Sequence, residues 1–569
     1  MLVVGIHNTG IISTAAFVAD GKLVYGAAEE RLSRRKHSKY FPHRVIEAGL
    51  KFLHATHADV DVYAIGWNPA LNIAERTRAG FSEWPAYPGE RFYSNPNQIL
   101  PLLGLDGLVA TEQSFLGADG GKANFTYVDH HLSHCVNAYL LSGFDEAAIL
   151  SCDGYGEKAS TVWAIGRGGG IEKIRRLDFP HSLGCFYSAI TELLGFRPDH
   201  DEWKVMGAAA FGDPEPYRKA MGRLLLDAED GSYRLDLNLF DHFNFDSKGM
   251  LSSSALELLG ERRGKNEELT QRHYDIAAAA QKRLEEVLRR TLVRFREQTG
   301  LANLCLTGGV AMNSVFNGKA AIDGPFDKIY VPFAPDDSGN SIGAALWCAQ
   351  RHGETIDLGD RPVSPFLGSE YGDEEIRETL DRYRLAYESV DDPAQVTAEM
   401  LAEGKIVGWF QGRMEFGQRA LGGRSILADP RDAATKDKIN AAVKFREAFR
   451  PFAPALAAEA VAEWFEAPAS TRAPYMEMVF PIRASRRNDI AAVVHADGTG
   501  RLQTVERRTQ PLFRAVIDSF AERTGIPVVL NTSFNLSGEP IVESPSDAVR
   551  VFMTSGMDAL VIGRQVLAK

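Results

Sequence analysis

Three histidines stand in the run Asp129-His-His-Leu-Ser-His134, and Asp153 closes the apolar stretch Ala147-Ala-Ile-Leu-Ser-Cys152 just before Gly154. Residues four apart share one face of a helix, so His130 and His134 can aim their imidazoles at a common point. Asp153 then falls at the C-terminal end of a buried strand, the edge at which α/β sheets bind ligands. Two imidazoles and a carboxylate suit a divalent transition metal that keeps positions open. Asp337, in Pro335-Asp-Asp-Ser-Gly339 ahead of another helix, is a candidate fourth ligand. The plainer readings are a helix cap with two surface histidines, and an N-cap aspartate at position 337. A metalloprotease reading fails, because His131 stands where His-Glu-x-x-His requires its glutamate.

Three glycine-rich turns follow predicted strands: Gly5 to Gly10, Asp153-Gly-Tyr-Gly156 and Gly308-Gly-Val-Ala-Met-Asn313. Such turns expose backbone N–H groups that can cradle anions. Anion-binding residue types gather again late in the chain. The segment Gln411-Gly-Arg-Met-Glu-Phe-Gly-Gln-Arg-Ala-Leu-Gly-Gly-Arg-Ser425 is followed by Lys444-Phe-Arg-Glu447, Arg450-Pro-Phe-Ala-Pro454, His495-Ala-Asp-Gly-Thr-Gly-Arg501 and Leu530-Asn-Thr-Ser-Phe-Asn535. Arg413, Arg419, Arg424, Lys444, Arg446, Arg450 and Arg501 supply guanidinium forks and an ammonium suited to phosphate oxygens. Asn531, Thr532 and Ser533 could hydrogen-bond an α-phosphate. On residue types alone, a solvated basic face and a ribonucleotide site both fit.

The elements that must carry these residues alternate between strand and helix. Met1 to Ile6 reads as a strand, and Ala15 to Val18 with Lys22 to Tyr25 as a hairpin around Asp20-Gly21. Pro42 to His54 is helical. Thr126 to Val128 leads into the histidine helix, and Ala147 to Cys152 begins a second set of strands. A long amphipathic helix, Tyr274 to Gln298, feeds the strand Leu304 to Leu306, and Ile342 to Gln350 is helical again. Arg351 to Ser364 is polar and rich in breakers, which places the domain boundary there. A second α/β segment follows, with strands near Ile406 to Trp409 and Val528 to Leu530. Two hairpin-led halves with anion-facing turns resemble the actin, Hsp70 and sugar-kinase nucleotide fold.

The 569 residues call for two or three domains, and 45% hydrophobic with 24% charged residues marks a soluble globular chain. A net charge of −12 argues against general nucleic-acid affinity. No apolar run is long enough to span a membrane. The N-terminus reads as a first strand rather than a leader, and the five cysteines have no Cys-x-x-Cys spacing. Both features point to a cytoplasmic protein.

The combination of His130-His-Leu-Ser-His134, Asp153-Gly-Tyr-Gly-Glu157, Lys204-Val-Met-Gly207, Gly308-Gly-Val-Ala-Met-Asn313, Asp337 and the C-terminal motifs resembles the O-carbamoyltransferases of the nodulation-factor and antibiotic-tailoring group. The resemblance runs from Val3 to Val561. It implies an actin/Hsp70/sugar-kinase-like transfer domain over 1–360, similar to the tRNA threonylcarbamoyl-transfer protein, and an α/β carbamoyl-adenylating domain over 361–569. It implies Fe(II), with Mn or Zn as alternatives, held by His130, His134, Asp153 and Asp337. It further implies carbamoyl phosphate, ATP with Mg²⁺ and a hydroxylated small-molecule acceptor, and a homodimer is compatible with it. Arg419, Lys444, Arg446, Arg501, Asn531 and Ser533 would form the adenylating site, with Arg424 and Thr532 beside them. Gly154, Lys204, Gly308, Gly309 and Asn313 would bind the adenylate in the first domain. Acceptor specificity would lie in Asn68 to Gly120 and Pro180 to Asp201. One departure concerns Ile11 and Ile12, which replace the usual His and Asp ahead of the Ala-Ala hairpin. The general base is thereby open, with His7 and His37 as candidates. Two other readings are a tRNA-modifying enzyme, which should lack the C-terminal motifs, and a nucleotide-binding protein without transferase activity.

Overall fold

The apolar opening run forms strand β1 (Leu2–His7), in which Val3, Val4 and Ile6 are fully buried. It pairs antiparallel with β2 (Thr14–Ala19), from Leu2 opposite Ala19 to His7 opposite Thr14. The link to β3 (Lys22–Ala28) is Asp20-Gly21, with φ of 48° and 74°, the left-handed pair that a two-residue hairpin turn demands. Strands β4 (Val62–Ile65) and β5 (Phe125–Tyr127) add in parallel, so the sheet order is β3-β2-β1-β4-β5.

The same plan then repeats. Strands β6 (Glu146–Cys152), β7 (Ala159–Arg167) and β8 (Gly170–Asp178) form an antiparallel set. Strands β9 (Asn303–Thr307) and β10 (Lys328–Tyr330) extend it in parallel, giving the order β10-β9-β6-β7-β8. Two sheets with one strand order make this the actin/Hsp70/sugar-kinase-like arrangement that the hairpin-led halves predict. The coordinates are a computed structural model that describes residues 1–8, 12–38, 40–68, 124–244, 247–265, 267–359, 362–444, 450 and 452–569.

Helix α1 (His43–Phe52) and the long helix α4 (Gln271–Thr299) fall where helical periodicity predicts them. The histidine helix α2 (His130–Ser142) buries Cys135, Ala138 and Tyr139 against Ala147 and Ile149 of β6, Val162 and Ala164 of β7, and Cys305 of β9. Helix α3 (Leu183–Leu193) follows β8, and helix α5 (Asn340–Arg351) follows the Asp337 turn. Helix α5 approaches its neighbours so closely that only glycine fits at two positions. A Cβ on Gly5 of β1 would lie 1.8 Å from the Ser341 carbonyl oxygen, and one on Gly343 would lie 1.8 Å from that of Ser133 in α2. This backbone contact sets the start of α5 against both β1 and the histidine helix.

The chain divides into two units. One comprises Met1–Val24, Lys39–Asn313 and Asp323–Leu358; the other comprises Tyr25–Ser38, Ser314–Ile322 and Gly359–Lys569. The second unit is built on a nine-stranded mixed sheet. In chain order its strands are β11 (Glu388–Ser389), β12 (Val407–Phe410), β13 (Arg424–Ala428), β14 (Ala453–Ala457), β15 (Met478–Pro481), β16 (Thr499–Val505), β17 (Val528–Ser533), β18 (Ala559–Ile562) and β19 (Gln565–Ala568). They lie side by side as β11-β19-β18-β12-β13-β17-β14-β16-β15. Helices α6 (Pro393–Ala402) and α7 (Pro511–Thr524) cover it, packing Ala398, Leu401, Phe513, Ile517 and Phe520 on Val407, Trp409, Leu427, Val529 and Val561.

All five cysteines are buried free thiols. Among the described residues, no helix is long and apolar enough to cross a membrane.

Candidate functional site

Helix α2 begins on two carboxylates. Asp129 caps it, accepting the Leu132 N–H at 2.6 Å, and Glu157 accepts the His130 N–H at 3.0 Å and the Asn68 N–H at 2.6 Å. Both satisfy donors that a helix start leaves open. Burial, with Asp129 nearby, pushes the Glu157 carboxyl up to about 7.

From this start His130 and His134 project to one side, as their spacing predicts. One ligand atom from each of His130, His134, Asp153 and Asp337 lies within 4.8 Å of the others. Asp153 Oδ2 stands 2.8 Å from His134 Nε2 and 3.3 Å from His130 Nε2. Asp337 Oδ1 stands 3.4 Å and 3.6 Å from the same two nitrogens. Both imidazoles are fully buried. His131 turns away: its Nε2 donates to the Ala159 carbonyl at 2.9 Å, so its Nδ1 accepts from the Ser151 hydroxyl at 2.8 Å. Burial and the neighbouring histidines pull its pKa down to about 3 and keep it neutral.

Burial alone would lower the His134 pKa, but the hydrogen bond to Asp153 and the contact with Asp337 outweigh it and hold the ring up to about 9. His130 is raised against the same burial by Asp337 and Asp153. Burial would raise both carboxyls, yet the imidazoles hold Asp153 low and Asp337 well below the usual carboxylate range. Such a cluster is ready to exchange imidazole protons for a cation.

The donor set fits a divalent transition metal: two nitrogens from α2 and two carboxylate oxygens, one from the end of β6 and one from the turn before α5, converge. The surroundings agree. The Asn340 amide lies 3.1 Å from His130 Nδ1, and its buried Oδ1 accepts no hydrogen bond among the described residues. With the amide turned over, Oδ1 accepts from His130 Nδ1–H, which leaves Nε2 to a metal. Asn340 is the first residue of α5, three positions beyond Asp337. That spacing is visible in the sequence, but it gains meaning only once α5 is set against α2.

The turns at Gly154 and Gly308 sit beside this cluster. Gly154 N–H donates to Asp153 Oδ1 at 2.7 Å, and among the described residues nothing but its chain neighbours lies within 4 Å of the place a Cβ would take. A Cβ on Gly308 would lie 2.3 Å from the Cys152 carbonyl oxygen, and one on Gly309 would lie 2.9 Å from Asp153 Oδ1. Gly154, Gly308, Gly309 and Asp153 are therefore brought together. Asn313 pairs its side-chain amide reciprocally with Gln281, at 3.0 and 2.9 Å, and Tyr187 also donates to Gln281. Lys204 stays with Asp201 at 3.3 Å, its ammonium over the Phe196 and Trp203 rings.

In the second unit Lys444 and Ser533 meet. Lys444 Nζ, buried, donates to the Ser533 carbonyl at 2.5 Å and to Asn535 Oδ1 at 2.8 Å, with the Ser533 hydroxyl at 3.2 Å. Asn535 is thus a partner that residue types alone did not single out. Asn531 lies on the same face of β17, two residues before Ser533, and donates to Gln503 at 2.7 Å and to the Ala420 carbonyl at 3.1 Å. Its buried Oδ1 accepts no hydrogen bond among the described residues. Thr532, opposite Ile426 in the register, points to the other face.

Arg419 and Arg501 are half-buried. His495 lies near Arg501. Burial, with Arg501 and Lys436 against an opposing Asp497, pulls its imidazole down to about 4. Arg424 is fully buried, 3.6 Å over the Phe410 ring, and donates to the carbonyls of Ser369, Gln411, Gly412 and Gly423. Its donors end on protein oxygens, so its charge holds the 411–425 loop. Burial lowers its pKa to about 10. Arg446 lies outside the described residues, as do Ile11 and residues 69–120 of the expected specificity segment. Ile12 is buried. His37 belongs to the second unit, where its N–H donates to Glu30 at 2.8 Å.

The family model for the carbamoyltransferase N-terminus matches residues 3–346, and that for the carbamoyltransferase C-terminus matches residues 398–569. The chain therefore belongs to the carbamoyltransferase family and is a carbamoyl-transferring enzyme. It is similar to nodulation protein NolNO of Sinorhizobium fredii, 38% identical over 98% of this chain and 78% of the relative. It is also similar to nodulation protein NolO of Bradyrhizobium diazoefficiens, 40% identical over 78% of this chain and 79% of the relative. Among solved structures, full-length HypF in the phosphate- and nucleotide-bound form is 13% identical over 62% of this chain and 47% of its own, with a TM-score of 0.31. A likeness of that size carries no argument about function.

Proposed function

We propose that this carbamoyltransferase works in two half-reactions, with the convergence of His130, His134, Asp153 and Asp337 on one point as the observation that carries the reading. In the first, carbamoyl phosphate is hydrolysed to carbamate and phosphate. A carbamate oxygen then attacks the α-phosphorus of ATP, with Mg²⁺ on the phosphates, giving carbamoyl-adenylate and pyrophosphate. Arg419, Arg446, Arg501 and Lys444 neutralise the phosphates, and Ser533 and Asn531 orient the carbamoyl group. Charge neutralisation should dominate here, since the leaving group is a crowded anion. Arg424 and Thr532 support this site from the loop and the strand.

In the second half-reaction, a hydroxyl of a small natural-product acceptor attacks the carbamoyl carbon, and AMP departs with the acceptor proton released. His130, His134, Asp153 and Asp337 would hold Fe(II), and the same donors accept Mn(II) or Zn(II). When bound, the ion supplies Lewis-acid polarisation of the carbamoyl carbonyl. Gly154, Gly308 and Gly309 present backbone to the adenylate, with Asn313 and Lys204 as further residues for binding it. Donor and nucleotide are tested together by measuring pyrophosphate release with carbamoyl phosphate and ATP each omitted in turn. Release that needs both, with AMP appearing only on adding acceptor, is the expected outcome. Pyrophosphate released without carbamoyl phosphate, or none at all, would overturn the adenylate route.

A further inference from the structure

His7 ends β1 and is fully buried, yet neither ring nitrogen has a hydrogen bond among the described residues. An unsatisfied buried imidazole is costly, so its placement calls for a reason. Its Nε2 lies 3.4 Å from Asp337 Oδ2. Asp337 Oδ1, the other oxygen of that carboxylate, is the one that faces His130 and His134. The two oxygens of one carboxylate are thus divided between His7 and the ligand cluster.

The backbone makes this division deliberate. His7 stands directly opposite Thr14 in the β1–β2 register. Thr14 Oγ1 lies 2.9 Å from the Ser338 carbonyl, to which it donates, and 2.9 Å from Ser341 Oγ. One cross-strand pair therefore grips two consecutive residues of the turn, His7 at the Asp337 carboxylate and Thr14 at the Ser338 carbonyl. The close approach of Gly5 to Ser341 locks the strand in that place. Asp153, by contrast, takes the N–H of its own neighbour Gly154 at Oδ1.

We propose that His7 is a positioning residue of the metal centre, its Nε2–H holding Asp337 Oδ2 so that Asp337 offers Oδ1 alone to the ion. The inference rests on the metal reading above. His7 is not a fifth ligand, because its nitrogen faces the carboxylate oxygen that the cluster does not use. A carboxylate fixed in this way cannot close on the ion with both oxygens, which keeps a coordination position for substrate. Outer partners of this kind tune metal affinity by about 10–100-fold.

Three substitutions separate positioning from packing. Glutamine places an amide N–H near the site of Nε2, asparagine places it near Nδ1, and leucine has no donor. Anaerobic titration calorimetry with Fe(II) on the metal-stripped full chain should show His7→Leu and His7→Asn binding about 10–100-fold more weakly than wild type. His7→Gln should stay near wild type. Leucine or asparagine variants that bind Fe(II) as tightly as wild type would overturn the proposal, as would a glutamine variant as weak as the asparagine one. Asp153→Ala serves as the control for the site itself. If that variant keeps full Fe(II) affinity, the metal reading fails independently of His7.

Discussion

At the scale of single residues, chemistry is set by what each polar group must satisfy when water is gone. Lys444 illustrates this: its buried ammonium reaches the Ser533 carbonyl and hydroxyl and the Asn535 side chain. Replacing it with methionine removes the donor these oxygens share and a cation from the proposed phosphate site. Lys444→Met should lower carbamoyl-adenylate formation by about 10²–10³-fold, read as pyrophosphate release. Lys444→Arg should not restore it, since a planar fork cannot replace a compact ammonium among these acceptors. Glu202 offers a second test. Burial pushes its carboxyl up to about 7, while it accepts from Ser188 Oγ at 2.7 Å and from the Asp199 N–H at 2.7 Å. Between its unfolded pKa and about 7 the folded chain holds the extra proton, so stability falls as pH rises through that window. Glu202→Gln keeps both acceptor contacts, removes this slope and should gain on the order of 2 kcal/mol at pH 8 in urea unfolding. An unchanged slope would mean that Glu202 is already ionised in the fold.

At the scale of elements, the 411–425 loop is held from inside by its own glutamate. Glu415 Oε1 accepts the N–H groups of Leu421, Gly423 and Arg424 at 2.9, 2.7 and 3.0 Å. A glycine-rich phosphate loop uses such N–H groups as its donors, and here they are taken by Glu415. Buried Arg31 donates to the Gly417 carbonyl at 2.7 Å, and Arg424 staples the other side. Glu415→Ala would strand buried N–H groups and uncover the charge of Arg31 and Arg424. A loss of about 3–5 kcal/mol in the unfolding of the second unit is expected, together with faster hydrogen exchange at Gly423. Exchange at wild-type rates would show that the arginines alone hold the loop. The sequence exposed the loop as a cation-rich motif, and the i,i+4 histidines and the strand-end aspartate were legible because local periodicity places them. The fate of Arg424, the amide pairing of Asn313 and the link from His7 to Asp337 were not, since each depends on which distant backbone arrives opposite.

At the scale of the whole molecule, each proposed site draws its residues from one unit. The ligand set and its supports, His7, Thr14 and Asn340, all belong to the first. Arg419, Lys444, Arg501, Asn531 and Ser533 all belong to the second. No composition shift marks Tyr25–Ser38 or Ser314–Ile322 as members of the second unit, because that grouping reflects long-range contacts alone. The repeated strand order was easier to foresee, since each half opens with its own hairpin. Substitutions without shared partners act independently, so damage to one site should leave the other half-reaction intact. His134→Ala should lose the bound metal and acceptor carbamoylation while keeping carbamoyl phosphate-dependent pyrophosphate release near the wild-type rate. Arg419→Ala should do the reverse, keeping one metal per chain while pyrophosphate release falls by about 10²-fold or more. Both variants are compared by metal analysis, pyrophosphate assay and product mass spectrometry on the same folded preparations. If each variant lost both partial activities to the same extent, one site would be serving both steps, and the assignment of adenylation to the second unit would fall.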